Sequence, residues 1–206
     1  MNASRNNLLA AAGLTLGGLA LMWLLTEHVG NLWHRLAWFY LAMIPVALLA
    51  VRLDWKARLR FKPVQLAIGL GAACALWCIG WVGNLLLREF TPDLLDELGD
   101  FYLLIETLPR WQLWLLLVWI IAGEEIVFRQ AVTIPLCEKW KWPGVLLAAG
   151  CFMLVHIPWA PPVLWLASLF FGAVWSAMAW KLRSFWAPFA AHLSWDILVF
   201  LVARYE

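Results

Sequence analysis

Long apolar runs separated by short polar loops are the feature that most constrains how this chain can fold. Hydrophobic residues make up 65% of the sequence and charged residues only 14%. Inside a bilayer every backbone N–H and C=O must be paired within the protein, so apolar runs of this kind predict membrane-crossing helices. The runs are Leu8–Thr26, Leu36–Val51, Val64–Leu87, Trp111–Thr133, Gly144–Ile157, Val163–Trp180 and Phe185–Val202. We therefore predict an all-α, polytopic transmembrane helix bundle of about seven spans, with residues 1–206 as one integral membrane domain.

The segment between the third and fourth runs is acidic and amphipathic. Its apolar residues recur at helical spacing, which is typical of a helix that lies on the membrane surface. Such a helix either simply connects two spans or helps to admit a substrate. It closes an N-terminal part, residues 1–110, and precedes a helical core, residues 111–202. The acidic residues are Glu89, Asp93, Asp96, Glu97, Asp100 and Glu106.

The distribution of basic residues predicts the orientation of the chain. The loop 52–62 carries five Lys or Arg residues, and the turns at 139–141 and 181–183 carry four more. Because Lys and Arg accumulate in cytoplasmic loops, the N-terminus is predicted to be cytoplasmic and the acidic segment to lie outside. The first run is longer than a signal-peptide core of about 7–15 residues, so we expect a retained helix. This pattern favours a bacterial inner membrane.

Three of the apolar runs carry ionisable residues far from their ends. A charge at the bilayer centre costs at least ~2.5–3.5 kcal/mol, so such groups usually face the interior of a bundle and mark a functional site. At ~1.5 Å per residue these groups lie about 10–20 Å from a span end, near the middle of the membrane. We predict that the three runs share one site. The residues are Glu124, Glu125, Arg129, His156, His192 and Asp196.

The spacing within two of these runs predicts local pairs. Glu125 and Arg129 are four residues apart, so Arg129 can neutralise Glu125 as a structural ion pair. Glu124 is rotated by about 100° on the same helix and is left to face another partner. His192 and Asp196 are also four residues apart, so the carboxylate of Asp196 can hold one ring nitrogen of His192 and fix its tautomer.

These residues form three motifs that resemble those of the CPBP family of intramembrane proteases, also called the ABI family. The family includes the CAAX prenyl endopeptidases and bacteriocin-processing proteins, and its motifs are E-E-x-x-x-R, F-x-x-x-H and H-x-x-x-N or D. In this chain they read Glu124-Glu125-Ile-Val-Phe-Arg129, Phe152-Met-Leu-Val-His156 and His192-Leu-Ser-Trp-Asp196. The resemblance covers residues 111–202.

The resemblance implies a glutamate-dependent peptide hydrolase. Glu124 would be the general base that activates water, assisted by His156. Glu125 would be held by Arg129 and would shape the pocket. His192 would stabilise the oxyanion of the tetrahedral intermediate. Chemically, a carboxylate within reach of water and donors aimed at the developing charge are what amide hydrolysis requires.

The remaining positions concern the substrate and the last motif. Phe128 and Phe152 are expected to line the substrate pocket, and Phe152 lies one turn before His156. Asp196 stands where the prenyl endopeptidases often have Asn. An ionised Asp cannot donate to an oxyanion, so we expect Asp196 to orient His192 instead. This departure weakens the implication of the CAAX reaction in particular.

Zinc is an open alternative for the mechanism. Glu124, His156 and His192 could supply two nitrogens and one oxygen to zinc and leave a position for water. The H-E-x-x-H pattern, which places two ligands on one helix, is absent. We therefore favour a metal-free mechanism and predict no other cofactor.

The sequence thus predicts an intramembrane endopeptidase that acts on a membrane-bound or lipidated protein within the lipid bilayer, with no nucleic-acid partner. One alternative is a proton- or cation-coupled carrier that uses the same buried charges as a relay. The sequence shows no inverted repeat, which disfavours a carrier. Another alternative is a non-catalytic immunity or partner protein on the same fold. Such a protein would be expected to lose Glu124 or a histidine, and this chain keeps them.

Overall fold

The computed structural model describes residues 3–105 and 107–205, and these ranges contain helices and no strand. The helices alternate with short turns. In chain order they are α1 (Ala3–His28), α2 (Leu32–Ala50), α3 (Trp55–Arg58), α4 (Pro63–Phe90), α5 (Pro92–Ile105), α6 (Arg110–Glu124), a π-helix (Glu125–Val132), α7 (Thr133–Trp140), α8 (Trp142–His156), α9 (Pro162–Leu182), α10 (Trp186–Ile197) and a second π-helix (Leu198–Val202). The predicted all-α fold is confirmed.

Five helices in the described ranges are long and apolar enough to cross a membrane. They are α1, α2, α4, α9 and the continuous helix Arg110–Trp140, which comprises α6, the first π-helix and α7. Two further apolar helices, Trp142–His156 and Trp186–Val202, are shorter. The chain is thus a helical integral membrane protein. The two short helices correspond to the fifth and seventh predicted runs, and a short span is accommodated by local thinning of the bilayer.

The distribution of polar and apolar side chains is the reverse of that in a soluble protein. Large apolar side chains such as Leu49 and Phe90 are 85% and 75% exposed, whereas Glu125 and Arg129 are fully buried. In water an apolar surface of this extent would be unfavourable, but it contacts lipid tails at no such cost. The membrane therefore covers the outside of the bundle, and the charged groups lie within it.

Close helix packing brings the second half of the chain around the charged groups. Helix α4 packs along α10, α8 packs along α9, and α2 packs against α6. The α4–α10 contact depends on Gly69, where an added Cβ would lie 2.6 Å from the carbonyl oxygen of Ala187 and from the Cβ of Ala190. Small residues at such crossings let helix backbones approach closely, which is the usual source of helix association in lipid.

Helix α5 is the amphipathic helix that the acidic segment predicts. Leu98, Phe101 and Tyr102 are buried against the bundle, while Asp93 and Asp96 are exposed. The helix packs against α4 and α9, so its apolar face closes one side of the bundle. Its position on the membrane surface stays a prediction. The Glu106 carboxylate of the acidic segment lies outside the described residues.

The charged motif lies where an α-helix widens into a π-helix. At its end the Thr133 N–H donates to the carbonyl oxygen of Phe128, five residues earlier. The Thr133 hydroxyl also donates to that oxygen, at 2.8 Å. A π-helical turn holds one more residue than an α-helical turn and often marks a functional site. Local sequence patterns give no signal for this change, and it alters where the side chains after Glu124 point.

Candidate active site

The three motifs meet at a cavity inside the bundle. The cavity is partly open, has an empty volume of about 660 Å³ that includes its open side, and is lined by residues of α2, α5, α6, α8, α9 and α10. Its polar wall is formed by Glu124, His156, His192 and Asp196, and most of its remaining lining is aromatic or aliphatic. The side chains of these four residues are at most 9% exposed. Carboxyl and imidazole groups therefore face one small, largely apolar space.

His192 lies at the centre of the polar wall and contacts both glutamates. Its Nδ1 lies 2.9 Å from Oε1 of Glu125, and its Nε2 lies 3.5 Å from Oε2 of Glu124. The short contact indicates that Nδ1–H donates to Glu125, which leaves Nε2 directed towards Glu124. Asp196 Oδ1 is 3.8 Å from Nε2, beyond hydrogen-bond distance. The structure therefore gives the orienting contact to Glu125, on another helix, and not to Asp196 as the i,i+4 spacing predicts.

Glu125 and Arg129 lie behind the cavity wall. Arg129 Nε is 3.5 Å from Glu125 Oε1, both side chains are fully buried, and neither residue lines the cavity. The guanidinium carbon lies 4.0 Å from the ring centre of Phe152 and 5.5 Å from that of Trp175. The guanidinium nitrogens form no hydrogen bond within the described residues. Coulombic attraction to Glu125 and cation–π contacts therefore hold the guanidinium in place.

His156 lies at the end of α8 and lines the same cavity. Its Nδ1 is 2.8 Å from the carbonyl oxygen of Phe152, so Nδ1–H donates to that oxygen. The other ring nitrogen, Nε2, is then an acceptor. The ring packs between Phe152 and Trp159, with centre distances of 4.3 and 5.1 Å. His156 is thus held rigidly with one acceptor free to bind water.

Two aromatic residues that the sequence motifs do not include complete the site. The Tyr40 hydroxyl, on α2, lies close to the Glu124 carboxylate. Trp175, on α9, stacks on the His192 ring with a centre distance of 3.5 Å and an interplanar angle of 21°. In the sequence, Tyr40 could have been found as a hydroxyl-bearing residue within the second apolar run. Trp175 is one of seventeen tryptophans and carries no such signal.

Helix α2 approaches Glu124 closely because residue 123 is glycine. A Cβ added at Gly123 would lie 2.5–2.6 Å from side-chain carbons of Tyr40. A side chain at this position would therefore push Tyr40 and α2 away from the carboxylate.

The expectation that Phe128 lines the substrate pocket is wrong. Phe128 is fully buried and is not part of the cavity wall, whereas Phe152 is. The ring of Phe128 packs edge-on against that of Phe152, with centres 5.2 Å apart. Phe128 lies within the π-helix, which directs it into the core behind the cavity.

The positions of the donor atoms bear on the zinc alternative. Within the described parts of the chain, no three His, Cys, Asp or Glu side chains converge on a position that would hold a metal ion. Glu124, His156 and His192 share the cavity, and because Nδ1 of each histidine is engaged by another protein atom, Nε2 of each ring is the nitrogen left to bind a metal ion. Zinc therefore stays the alternative to a metal-free mechanism.

A comparison with protein families finds a match that covers the site. The model of the type II CAAX prenyl endopeptidase Rce1-like family matches residues 106–198, which include all three motifs. Over this region the chain is similar to the CAAX-type protease family, in agreement with the resemblance that the motifs carry. No curated protein and no solved structure shows significant similarity to the chain.

Proposed function

We propose that this protein is an intramembrane endopeptidase that hydrolyses a peptide bond of a membrane-bound or lipidated protein without a metal ion. The observation that carries the proposal is the division of the two adjacent glutamates. Glu124 faces the cavity, within reach of Tyr40 and His192, whereas Glu125 is enclosed with Arg129. One carboxylate is thus available for chemistry and the other is structural.

In the proposed reaction, Glu124 accepts a proton from a water molecule that also donates to Nε2 of His156. The water oxygen bonds to the substrate carbonyl carbon, and the carbonyl oxygen becomes an oxyanion. The proton taken by Glu124 then passes to the amide nitrogen as the C–N bond breaks, so that an acid and an amine are released. Helix α8 supplies His156 and helix α10 supplies His192. The scissile bond would lie between these two side chains.

His192 is proposed to stabilise the oxyanion. Because Nδ1–H donates to Glu125, Nε2 carries a proton only when the ring is an imidazolium. Transfer of the water proton from Glu124 to Nε2, across 3.5 Å, would generate that donor as charge develops, and the same proton would return through Glu124 to the amide nitrogen as the C–N bond breaks. Asp196, 3.8 Å from the same nitrogen, would stabilise the imidazolium form of His192. It would also help to orient the side of the site that faces the substrate.

Glu125 and Arg129 are proposed as positioning residues. Glu125 fixes the tautomer and the angle of His192, and Arg129 keeps Glu125 in place. Phe152 and Trp175 cover the guanidinium and separate it from the cavity. Helix α5 contributes Phe101 to the cavity wall and would move to admit a substrate. The protein would lie in a bacterial inner membrane, with its N-terminus in the cytoplasm.

The decisive experiment compares the termini of membrane proteins, by mass spectrometry, in cells that carry the wild-type protein or Glu124→Gln. The matched control is Glu138→Gln, the same chemical change at an exposed position on α7. We expect a precursor to accumulate with Glu124→Gln alone, at normal levels of the variant protein. Identical termini in all three strains would refute proteolysis and favour an ion-coupled carrier, which would be tested by proton flux in proteoliposomes.

A further inference from the structure

A second cavity, here called the lateral groove, lies beside the active-site cavity. It is formed by α4, α5, α9 and α10 and has an empty volume of about 1120 Å³. The two spaces are adjacent because they share wall residues. The shared residues are Leu164, Ala167, Phe171, Trp195 and Phe200. A molecule bound in the lateral groove would therefore contact side chains that also line the active-site cavity.

Asn84 is an unexpected residue in the wall of this groove. Its side chain is only 4% exposed, and its Oδ1 has no hydrogen-bond partner among the described residues. Its neighbours in the groove are mainly Leu, Val, Ile and Phe side chains. A buried acceptor without a donor is destabilising, so an unpaired amide here indicates a ligand that supplies a hydrogen-bond donor.

The active-site cavity next to the groove shows the complementary pattern. Trp33, Trp159 and Trp175 line it, and their indole N–H groups are buried without a hydrogen-bond partner in the described structure. Together the two spaces thus contain an unpaired acceptor and several unpaired donors, in addition to the polar wall of the active-site cavity. A hydrocarbon or isoprenoid chain has no group to pair with any of them. An extended polypeptide has both N–H and C=O groups along its length.

We propose that the lateral groove binds the part of the substrate polypeptide adjacent to the scissile bond, in extended form, with Asn84 accepting a hydrogen bond from a backbone N–H. This inference rests on the proposed function and assigns it a peptide-recognition subsite. Gly83 keeps the groove open, because it lines the groove and an added Cβ there would meet nothing within 4 Å. Substrate recognition is then partly by main-chain hydrogen bonds, which do not depend on sequence.

The test measures binding rather than cleavage, so its failure is distinct from a failure of the proposed function. The full chain with Glu124→Gln is reconstituted in nanodiscs of phosphatidylethanolamine and phosphatidylglycerol. The probes are a fluorescent, end-blocked hexapeptide of Leu and Ala residues and its fully N-methylated form, which has no N–H donor. We expect this protein to bind the unmethylated peptide about tenfold more tightly than the methylated one. A tenfold difference in affinity is about what one hydrogen bond contributes in a desolvated site.

Substitutions in the groove then assign the effect to Asn84. Asn84→Leu, close in size, should bind both peptides equally and should unfold at a higher temperature, because an unpaired buried acceptor has been removed. Gly83→Leu should weaken both peptides by filling the groove. The matched control is Gly71→Leu, on the same helix, where an added Cβ also meets nothing within 4 Å and the position lies outside the groove. Gly71→Leu should bind as the parent does.

Two results would overturn the inference. One is that the Asn84→Leu protein still prefers the unmethylated peptide, which would show that Asn84 is not the acceptor. The other is that Gly83→Leu abolishes binding of farnesol or palmitate but leaves peptide affinity unchanged, which would make the groove a site for hydrocarbon chains. If Gly83→Leu does not fold, the comparison of methylated and unmethylated peptides on Asn84→Leu decides the question.

Discussion

Replacing Arg129 by Met should destabilise the protein mainly by leaving Glu125 without its cation. The Glu125 and Arg129 side chains are fully buried and 3.5 Å apart, and Met fills most of the space that the guanidinium leaves. Removing one partner of a buried ion pair typically costs about 3–5 kcal/mol. Loss of the contact with Phe152, at 4.0 Å, adds up to about 2 kcal/mol. At about 2–4 °C per kcal/mol, the ion-pair part alone lowers the Tm by about 6–20 °C.

The assay is thermal unfolding of the purified protein in detergent, followed by tryptophan fluorescence. A second variant, Arg129→Met with Glu125→Gln, has neither charge and should recover most of the lost stability, because no carboxylate is left stranded. Glu124→Gln is the control and should melt close to the wild type, since it leaves the Glu125–Arg129 pair intact. The reasoning would be refuted if Arg129→Met melted at the wild-type temperature, or if the double variant melted no higher than the single one.

Three further predictions follow from the contacts around Glu124. Gly123→Ala should destabilise the protein by about 1–3 kcal/mol, because the added Cβ would collide with Tyr40. The control is Gly150→Ala, where an added Cβ meets nothing within 4 Å. Equal melting temperatures of the two variants would contradict the predicted collision. Tyr40→Phe should reduce cleavage of the accumulated precursor about 10–100-fold without unfolding the protein, measured as kcat/KM in membranes; unchanged kcat/KM would exclude a role of the hydroxyl. Finally, cleavage should persist after dialysis against a chelator, with metal content measured by mass spectrometry; loss of cleavage that added zinc restores would contradict the metal-free proposal.

The sequence predicted which ionisable residues lie together, because charges are costly in lipid. Glu124, His156 and His192 lie at similar depth in separate apolar runs, and mutual contact is the least costly way to satisfy such groups. The same argument identified Asp196 as part of the polar wall. Depth along a helix can be counted from residue numbers, and so can the order of the spans. Those two quantities were enough to predict which runs would meet.

The sequence did not predict contacts that depend on how the helices are rotated and on which helices cross. Spacing within one helix pairs His192 with Asp196, but the shorter contact comes from Glu125 on a different helix. The π-helical turn after Glu124 changes the direction of the following side chains, which is why Phe128 faces the core rather than the cavity. No i,i+4 rule represents either effect, because one is tertiary and the other breaks the assumed helical period.

The adjacency of the two glutamates explains why this arrangement needs both. A single carboxylate cannot both hold His192 in a fixed orientation and exchange protons with water. Here Glu125 is enclosed by Arg129 and His192, and Glu124, one residue earlier, faces the cavity and Tyr40. Helix geometry thus gives two identical side chains opposite surroundings. The cation that neutralises Glu125 is screened from the cavity by Phe152, so it can stabilise the fold while leaving Glu124 available for its proposed role as the base.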